Sequence, residues 1–324
     1  MNNMKLSILV LSYNQEMYIE RTIESIAHQV FDGKNTEIVV ADDCSEDNTQ
    51  SIILKMSKKY HFVKPIFNKK NLGVVENYFN AISHCSGELF MVCGGDDYFL
   101  PEKISTQLDF MKSCPDVALC CSGKNVVDSN GRLIRRDISN FHLINFDDLI
   151  LKNEIASSSI CLRMSILREY ISSIDPKNRS WGMEDYPMWL WISSQRYKIA
   201  YIPQILVGYT EQDGTVSRPY EISKKIEFEK SVYDIRSFFC KKNQMRKIDS
   251  MYIKGIAKIY LKARDISNFR KYVMKDHSLI GILNLLFSFL PFYFCFYEKL
   301  RIQKKYLLDF SSKLVTSLYY RKNK

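Results

Sequence analysis

The sequence lacks any CxxC pair; its nine cysteines are odd in number and scattered, with only Cys120 and Cys121 adjacent. The signatures of a zinc ribbon, a dithiol redox centre and a disulfide framework are therefore missing, and a reduced cytoplasmic compartment is expected. Cys44 and Cys93 have no histidine near them in the sequence and read as small buried thiols rather than nucleophiles. Metal-ligand spacing is missing among the five histidines, His28, His61, His84, His142 and His277, which read as structural or surface groups. The apolar run over residues 6–11 is too short for a signal-peptide core and leads straight into patterned sequence, which argues against secretion. Disorder is also a poor description, since 46% of residues are hydrophobic and 25% charged, as in ordinary folded proteins.

What is present divides unevenly. A chain of 324 residues accommodates a full domain with an appendage. Residues 1–220 carry 23 Lys and Arg against 27 Asp and Glu, whereas residues 221–324 carry 23 against 9. All of the basic excess thus lies in the last third, where it suits an anionic partner. The break in pattern places a domain boundary near residue 217, giving segments 1–217 and 218–324. Residues 278–297 carry no formal charge and would span about 30 Å as a helix. Pro291 interrupts that helix, and Lys299, Arg301, Lys304 and Lys305 follow at once, so an interfacial or re-entrant contact with an anionic membrane surface is preferred to a buried hairpin or a true span. Nucleic acid is the other anionic candidate; the tail has no recognised binding motif, and its apolar block is ill suited to a solvated basic face.

The first 125 residues alternate short apolar runs with helix-period segments, the pattern of a parallel sheet with helices on its faces. Strands are predicted over 6–11, 37–41, 63–67, 89–93 and 117–121. Ile19, Ile23, Ile26 and Val30 fall on one helix face. Further helices are predicted after Ser45, after Gly73 and after Pro101. Ser129, Asn130 and Gly131 signal a hairpin turn. Two strands, 199–202 and 205–209, are expected on either side of Pro203 and Gln204, and the chain from Pro219 onward reads as helical.

Ligands of open parallel sheets bind beyond the carboxyl ends of the strands. Polar text stands at three of those ends: Ser12, Tyr13 and Asn14; Asp42, Asp43 and Ser45; and Gly94, Gly95, Asp96 and Asp97. Each acidic pair has an ordinary alternative, helix capping for Asp42 and Asp43 and a polar turn for Asp96 and Asp97. Two such pairs at one sheet edge repel unless a cation or hydrogen-bond donors sit among them, and carboxylates with phosphates make sites for Mg²⁺ or Mn²⁺. A third pair, Glu184 and Asp185, precedes a predicted helix carrying Trp189, Leu190 and Ile192, where acids also suit the positive helix end.

SYNQEMYIERTIESIAHQ, EIVVADDCSEDNT, NLGVVENY, GDDYFLPEKI and EDYPMWLWI occur in that order. Over residues 5–217 the chain resembles the family 2 glycosyltransferases, inverting enzymes with the A-type nucleotide-sugar fold. The resemblance implies an α/β Rossmann-like, mostly parallel sheet flanked by helices, followed by a C-terminal helical region. It implies that Tyr13 stacks on the donor base and that Asp43, with Asp42 beside it, hydrogen-bonds that base. Asn71, Gly73 and Asn77 match the loop and helix start lining the nucleotide pocket. Asp96 falls at the metal-binding aspartate, with Asp97 on the donor or acceptor side of it, and Mn²⁺ or Mg²⁺ would bridge the diphosphate. Asp185 matches the general base, with Glu184 positioning the acceptor.

The chain departs from the family pattern at Gly94, where many members carry an acid, at Glu76, where many carry a base, and at Gln212, nearest the position of a histidine in some relatives. Arg218 offers an alternative positive charge for the diphosphate. Trp181 is a candidate sugar platform; Ala156, Ser157, Ser158 and Ser159 resemble an acceptor-side strand before a short helix and equally read as plain turn residues. The implied activity is transfer of a sugar from a nucleotide diphosphate sugar to a hydroxyl of a glycan acceptor in surface polysaccharide biosynthesis, with a lipid-linked acceptor at the inner face of the cytoplasmic membrane expected and no nucleic-acid partner. A nucleotidyltransferase shares strand-end acids and metal, but would carry a Gly-rich basic loop after the first strand, which SYNQEMY is not.

Overall fold

The structure is a computed structural model that describes residues 4–29, 35–174, 181–212, 214–215, 218–276 and 288. Val30 and the block 278–297, Ser288 excepted, lie outside the described residues, as does the basic cluster after it. Among the described residues no helix is long and apolar enough to cross a membrane.

The opening half alternates β1 (Leu6–Ser12), α1 (Ile19–Ala27), β2 (Thr36–Asp42), α2 (Thr49–Lys59), β3 (Val63–Phe67), α3 (Val74–Ile82) and β4 (Leu89–Gly94). Then come β5 (Tyr98–Phe99), α4 (Lys103–Ser113), β6 (Val117–Val127), β7 (Leu133–Asp137), β8 (His142–Ile144) and α5 (Phe146–Leu149). A 3-10 turn (Ser157–Ser159), β9 (Cys161–Arg163), α6 (Met164–Ser173), α7 (Asp185–Ser194) and β10 (Lys198–Thr210) follow, and α8 (Ile222–Phe239), α9 (Met245–Lys262) and α10 (Ile266–Val273) end the described chain.

The strands form one sheet ordered β3-β2-β1-β4-β9-β6-β10-β5, with β7 beside β6 and β8 beside β10. β1, β2, β3 and β4 pair in parallel, as do β6 and β10, whereas β9 runs antiparallel between β4 and β6. The sheet is therefore mostly parallel, as expected. Ile19, Ile23 and Ile26 are fully buried and pack α1 onto Leu6, Ile8 and Val10 of β1, so one helical stripe closes one strand face. Asp128 accepts from the amides of Asn130 and Arg132 at 2.9 and 2.8 Å, closing the β6–β7 hairpin at the predicted turn.

Two expectations are corrected. Residues 199–202 and 205–209 are not two strands; they belong to the single strand β10, which absorbs Pro203 and Gln204 as register shifts against β6. Such a bulge is how a strand accommodates a residue lacking the amide donor. Residues 157–159 form a 3-10 turn instead of ending a strand.

By contacts the chain divides into two compact units, Met1–Arg218 with Asp234–Lys241, and Pro219–Tyr233 with the chain from Lys242 on. In the second, Ala257 and Leu261 of α9 pack on Phe269 and Val273 of α10, and Asp265 caps α10 by accepting from the Asn268 amide at 3.0 Å.

Candidate active site

The register aligns three strand ends: Ser12 of β1 stands opposite Asp42 of β2, and Leu11 opposite Gly94 of β4. Every acidic or Gly-rich segment singled out in this half therefore leaves the sheet at one level.

Asp42 is fully buried and accepts from Ser12 Oγ at 3.1 Å, Ser45 N at 2.9 Å, Ser45 Oγ at 2.5 Å and Gln50 Nε2 at 2.8 Å. The expectation that it contacts the ligand beside Asp43 gives way to a framing role, because its lone pairs are taken and no surface remains. Helix capping is not its role either, since the N-cap of α2 is Asn48. Asp43 accepts from Asn68 Nδ2 at 2.8 Å, Leu72 N at 2.9 Å and Gly73 N at 2.8 Å, and so pins the loop before α3. Gly73 holds φ +82°, a left-handed conformation that glycine adopts without penalty, and Asn71 Oδ1 also accepts from its amide at 3.0 Å. Asn77 is buried, donating to Ala41 O at 3.2 Å and accepting from Asn68 at 2.9 Å, so it braces that loop from behind. Tyr13 is 43% exposed at the end of β1, a free aromatic face. The turn after it is fixed by Asn14 N donating to Ser45 Oγ at 2.8 Å and by Asn14 Oδ1 accepting from Glu46 N at 2.9 Å.

The second acidic pair splits in function. Asp97 is buried, accepts from Thr210 N at 2.9 Å and from Ser158 Oγ, and thereby ties the β4 turn to β10 and to the 3-10 turn. Asp96 is half-buried and accepts from Gln212 Nε2 at 2.7 Å through Oδ2. Burial raises the proton affinity of both carboxyls, and the neighbouring Asp96 raises that of Asp97 further. The turn itself is clamped from α1: Thr22 Oγ1 donates to Asp97 O at 2.6 Å, and Arg21 donates to Asp96 O at 2.7 Å while its guanidinium lies 4.5 Å from the Tyr98 ring centroid.

Among the described residues no cluster of three or more His, Cys, Asp or Glu is placed to hold a metal ion. Gly94 leaves space at Asp96 Oδ1, where an added Cβ would stand 3.0 Å away. One open carboxylate oxygen fits Mg²⁺ or Mn²⁺ of the kind held by one or two carboxylates together with substrate phosphates.

Glu184 and Asp185 open α7 and are half-buried. Glu184 is the N-cap residue but makes no side-chain capping bond. Asp185 Oδ1 accepts from the adjacent Tyr186 N at 2.6 Å, the one donor from another residue among those described. Val75, Phe79, Trp181, Met183 and Pro187 surround Glu184. In this apolar setting burial lifts both carboxyls well above the usual range, and Asp185 lifts Glu184 further. Trp181, the expected sugar platform, packs edge-on against Phe238 with ring centroids 5.3 Å apart and lines the apolar hollow beside Glu184. Trp189 and Trp191 are both core residues. Arg218 is paired with Glu211 and is not a free charge for a diphosphate.

Three groups escaped sequence reasoning. Lys124 on β6 is half-buried, its Nζ 4.6 Å from the Tyr209 ring centroid, and its positive field reaches both Asp97 and Asp185. Tyr78 has a buried hydroxyl without a hydrogen bond and feels the charges of Glu184 and Asp185. Arg21 clamps the Asp96 turn. A lone lysine after seven buried strand residues was the one legible signal; Arg21 and Tyr78 lie within ordinary amphipathic helices.

The geometry has counterparts. The family model described as Glycosyl transferase family 2 matches residues 7–173. An uncharacterized glycosyltransferase of Haemophilus influenzae is 30% identical over 243 residues, 70% of this chain and 73% of that protein. The putative teichuronic acid biosynthesis glycosyltransferase TuaG of Bacillus subtilis is 26% identical, over 68% of this chain and 85% of its own. The mannosyltransferase PcManGT of Pyrobaculum calidifontis, solved with GDP-Man and Mn²⁺, superposes with a TM-score of 0.59 at 12% identity, covering 94% of this chain and 85% of that one. The chain also matches uncharacterized mycobacterial proteins, of whose length it spans about half, 46%.

Proposed function

The chain belongs to glycosyl transferase family 2, and from that premise we propose that it moves a sugar from a nucleotide diphosphate donor to a hydroxyl of a glycan acceptor, with inversion at the anomeric carbon. The observation that carries this reading is the pair Glu184 and Asp185 at the start of α7, desolvated and poor in hydrogen-bond donors, with Asp185 in the same positive field of Lys124 as Asp97. Burial makes Asp185 a stronger base than a solvated carboxylate once it is ionised. Asp185 takes the acceptor hydroxyl proton as the oxygen attacks the anomeric carbon and the bond to the diphosphate breaks on the opposite face. Glu184, kept neutral by its apolar walls and by the charge on Asp185, orients the acceptor as a hydrogen-bond donor.

On the donor side, Tyr13 offers its face to the base and Asp43 holds the loop over Leu72 and Gly73 in shape for the nucleotide. Asp96, with the diphosphate oxygens, would hold Mn²⁺ or Mg²⁺, whose charge supplies stabilisation of the leaving group. Mn²⁺ beside GDP-Man in the mannosyltransferase supports this metal reading. The putative role of the Bacillus relative in teichuronic acid biosynthesis supports a surface polysaccharide as product, which we place on a lipid-linked acceptor at the inner face of the cytoplasmic membrane.

A panel of nucleotide sugars tests the proposal. Calorimetry should find a donor whose affinity rises with Mn²⁺, and Asp96→Ala should remove that increment while leaving the metal-independent part. Product from an active donor and acceptor should carry inverted anomeric configuration by NMR. Retention of configuration, or no nucleotide sugar bound at any metal concentration, overturns it.

A further inference from the structure

Five of the thirteen exposed large hydrophobic side chains among the described residues fall within eleven positions: Leu133, Ile134, Ile138, Phe141 and Leu143, each 47–56% exposed. Soluble proteins scatter such residues singly, and a cluster marks an interaction surface. The segment runs from β7 through the connection to β8, and cations are interleaved with it. Arg132 and Arg136 are exposed, and neither takes part in an ion pair among the described residues. Arg135 is already committed to Asp137 and Glu211, at 3.1 and 2.7 Å. Asp137 is the one acid between 131 and 143, and Arg135 neutralises it.

We infer that the β7–β8 segment is a docking surface for an anionic lipid bilayer, with Ile138, Phe141 and Leu143 entering the headgroup boundary and Arg132 and Arg136 meeting lipid phosphates. Mixed aliphatic, aromatic and arginine side chains suit such an interface, and the one acid of the segment is paired; Asp148 and Glu154 line the hollow beside Phe141 together with Lys152. A second copy of this chain fits less well. Among the described residues β7 pairs with β6 alone, and antiparallel self-pairing of its other edge would set Arg135 and Arg136 against the same residues of the copy. The site lies one strand from Lys124, since β7 pairs with β6 through Lys124 and Asp137. Docking would therefore bring a lipid-borne acceptor to the edge that carries Lys124. The inference shares the lipid-linked acceptor with the proposed function, and its test omits donor and turnover, so the two fail separately.

The test is hydrogen exchange by mass spectrometry on the full chain, with vesicles of phosphatidylcholine alone or mixed with phosphatidylglycerol. Amides of residues 131–143 should gain protection with the anionic vesicles and not with phosphatidylcholine. Ile138→Ser with Phe141→Ser should weaken vesicle partition by about tenfold or more. Arg132→Glu with Arg136→Glu should do so selectively at low salt. Unchanged thermal midpoints will show that these surface variants fold. The inference is overturned by no vesicle binding, by binding that leaves 131–143 unprotected and both variants unaffected, or by protection that rises with protein concentration in the absence of lipid, which would identify a second copy as the occupant.

Discussion

Two carboxylate pairs in this molecule have the same composition of charge and opposite surroundings. Asp42 and Asp43 accept hydrogen bonds from Ser12, Ser45, Gln50, Asn68, Leu72 and Gly73. Glu184 and Asp185 are walled by Phe79, Trp181, Met183 and Pro187, and the Tyr186 amide is the one donor to Asp185 from another residue among those described. Donors arranged around a carboxylate convert it into scaffold, because each bond fixes a loop and uses a lone pair. Desolvation without donors does the reverse and leaves a group whose proton is its useful property. The first pair builds the loop before α3, and on the proposed reading the second is available for proton transfer.

The sharpest way to break this contrast is Asp185→Asn. Transfer should fall by about 10²- to 10⁴-fold while donor affinity by calorimetry stays within about twofold, the signature of a lost general base. Unchanged turnover would move the base elsewhere. The same variant has a stability signature. Asp185 binds its proton more tightly folded than unfolded, so its contribution is full below the unfolded value near about 4 and is lost as pH rises through the raised folded value. The Asn variant should therefore melt higher than the parent at pH 8 and no higher at pH 4.

Asp43→Ala should show the complementary pattern. Leaving the amides of Leu72 and Gly73 without their acceptor should cost about 1–3 kcal/mol by urea denaturation at pH 7 and weaken donor binding, with the pH profile of turnover unmoved. A smaller effect is expected for Glu184→Gln. The neutral amide imitates the protonated acid, so turnover near pH 7 should remain within about threefold of the parent, whereas Glu184→Ala, which opens the apolar wall, should lose more. Equal losses in the two variants would mean that the ionised carboxylate is what the site needs.

The sequence carried the frame of this contrast better than its sense. β1 and β4 begin where the pattern predicts and end one residue beyond it, and Ile19, Ile23 and Ile26 line the buried face of α1, because strands buried on both faces and an amphipathic helix write their patterns directly into the chain. All three acidic pairs were visible as text at strand and helix ends. Their division into scaffold and chemistry was not. Asp42 is taken by Ser12 and Gln50, thirty and eight positions away, and Asp97 by Ser158 and Thr210, more than sixty away. Hydrogen bonds of that separation exist only after folding. Pro203 misled for a related reason: its local text reads as a break, and only pairing with β6 shows that the strand continues through it.

Lys124 gives the finest test, because it is a charge that touches neither pair. Its ammonium favours the ionised form of Asp185, and burial in turn lowers its own hold on its proton. Removing the charge in Lys124→Met should let Asp185 retain its proton to higher pH, so the acid limb of the pH profile for kcat/KM should move upward, with less than about a twofold change on the plateau. Lys124→Arg, which keeps the charge, should return the limb toward its original position. A limb that stays in place in Lys124→Met would mean that solvent, not this lysine, compensates the base; a limb that moves equally in both variants would trace the effect to packing against Tyr209.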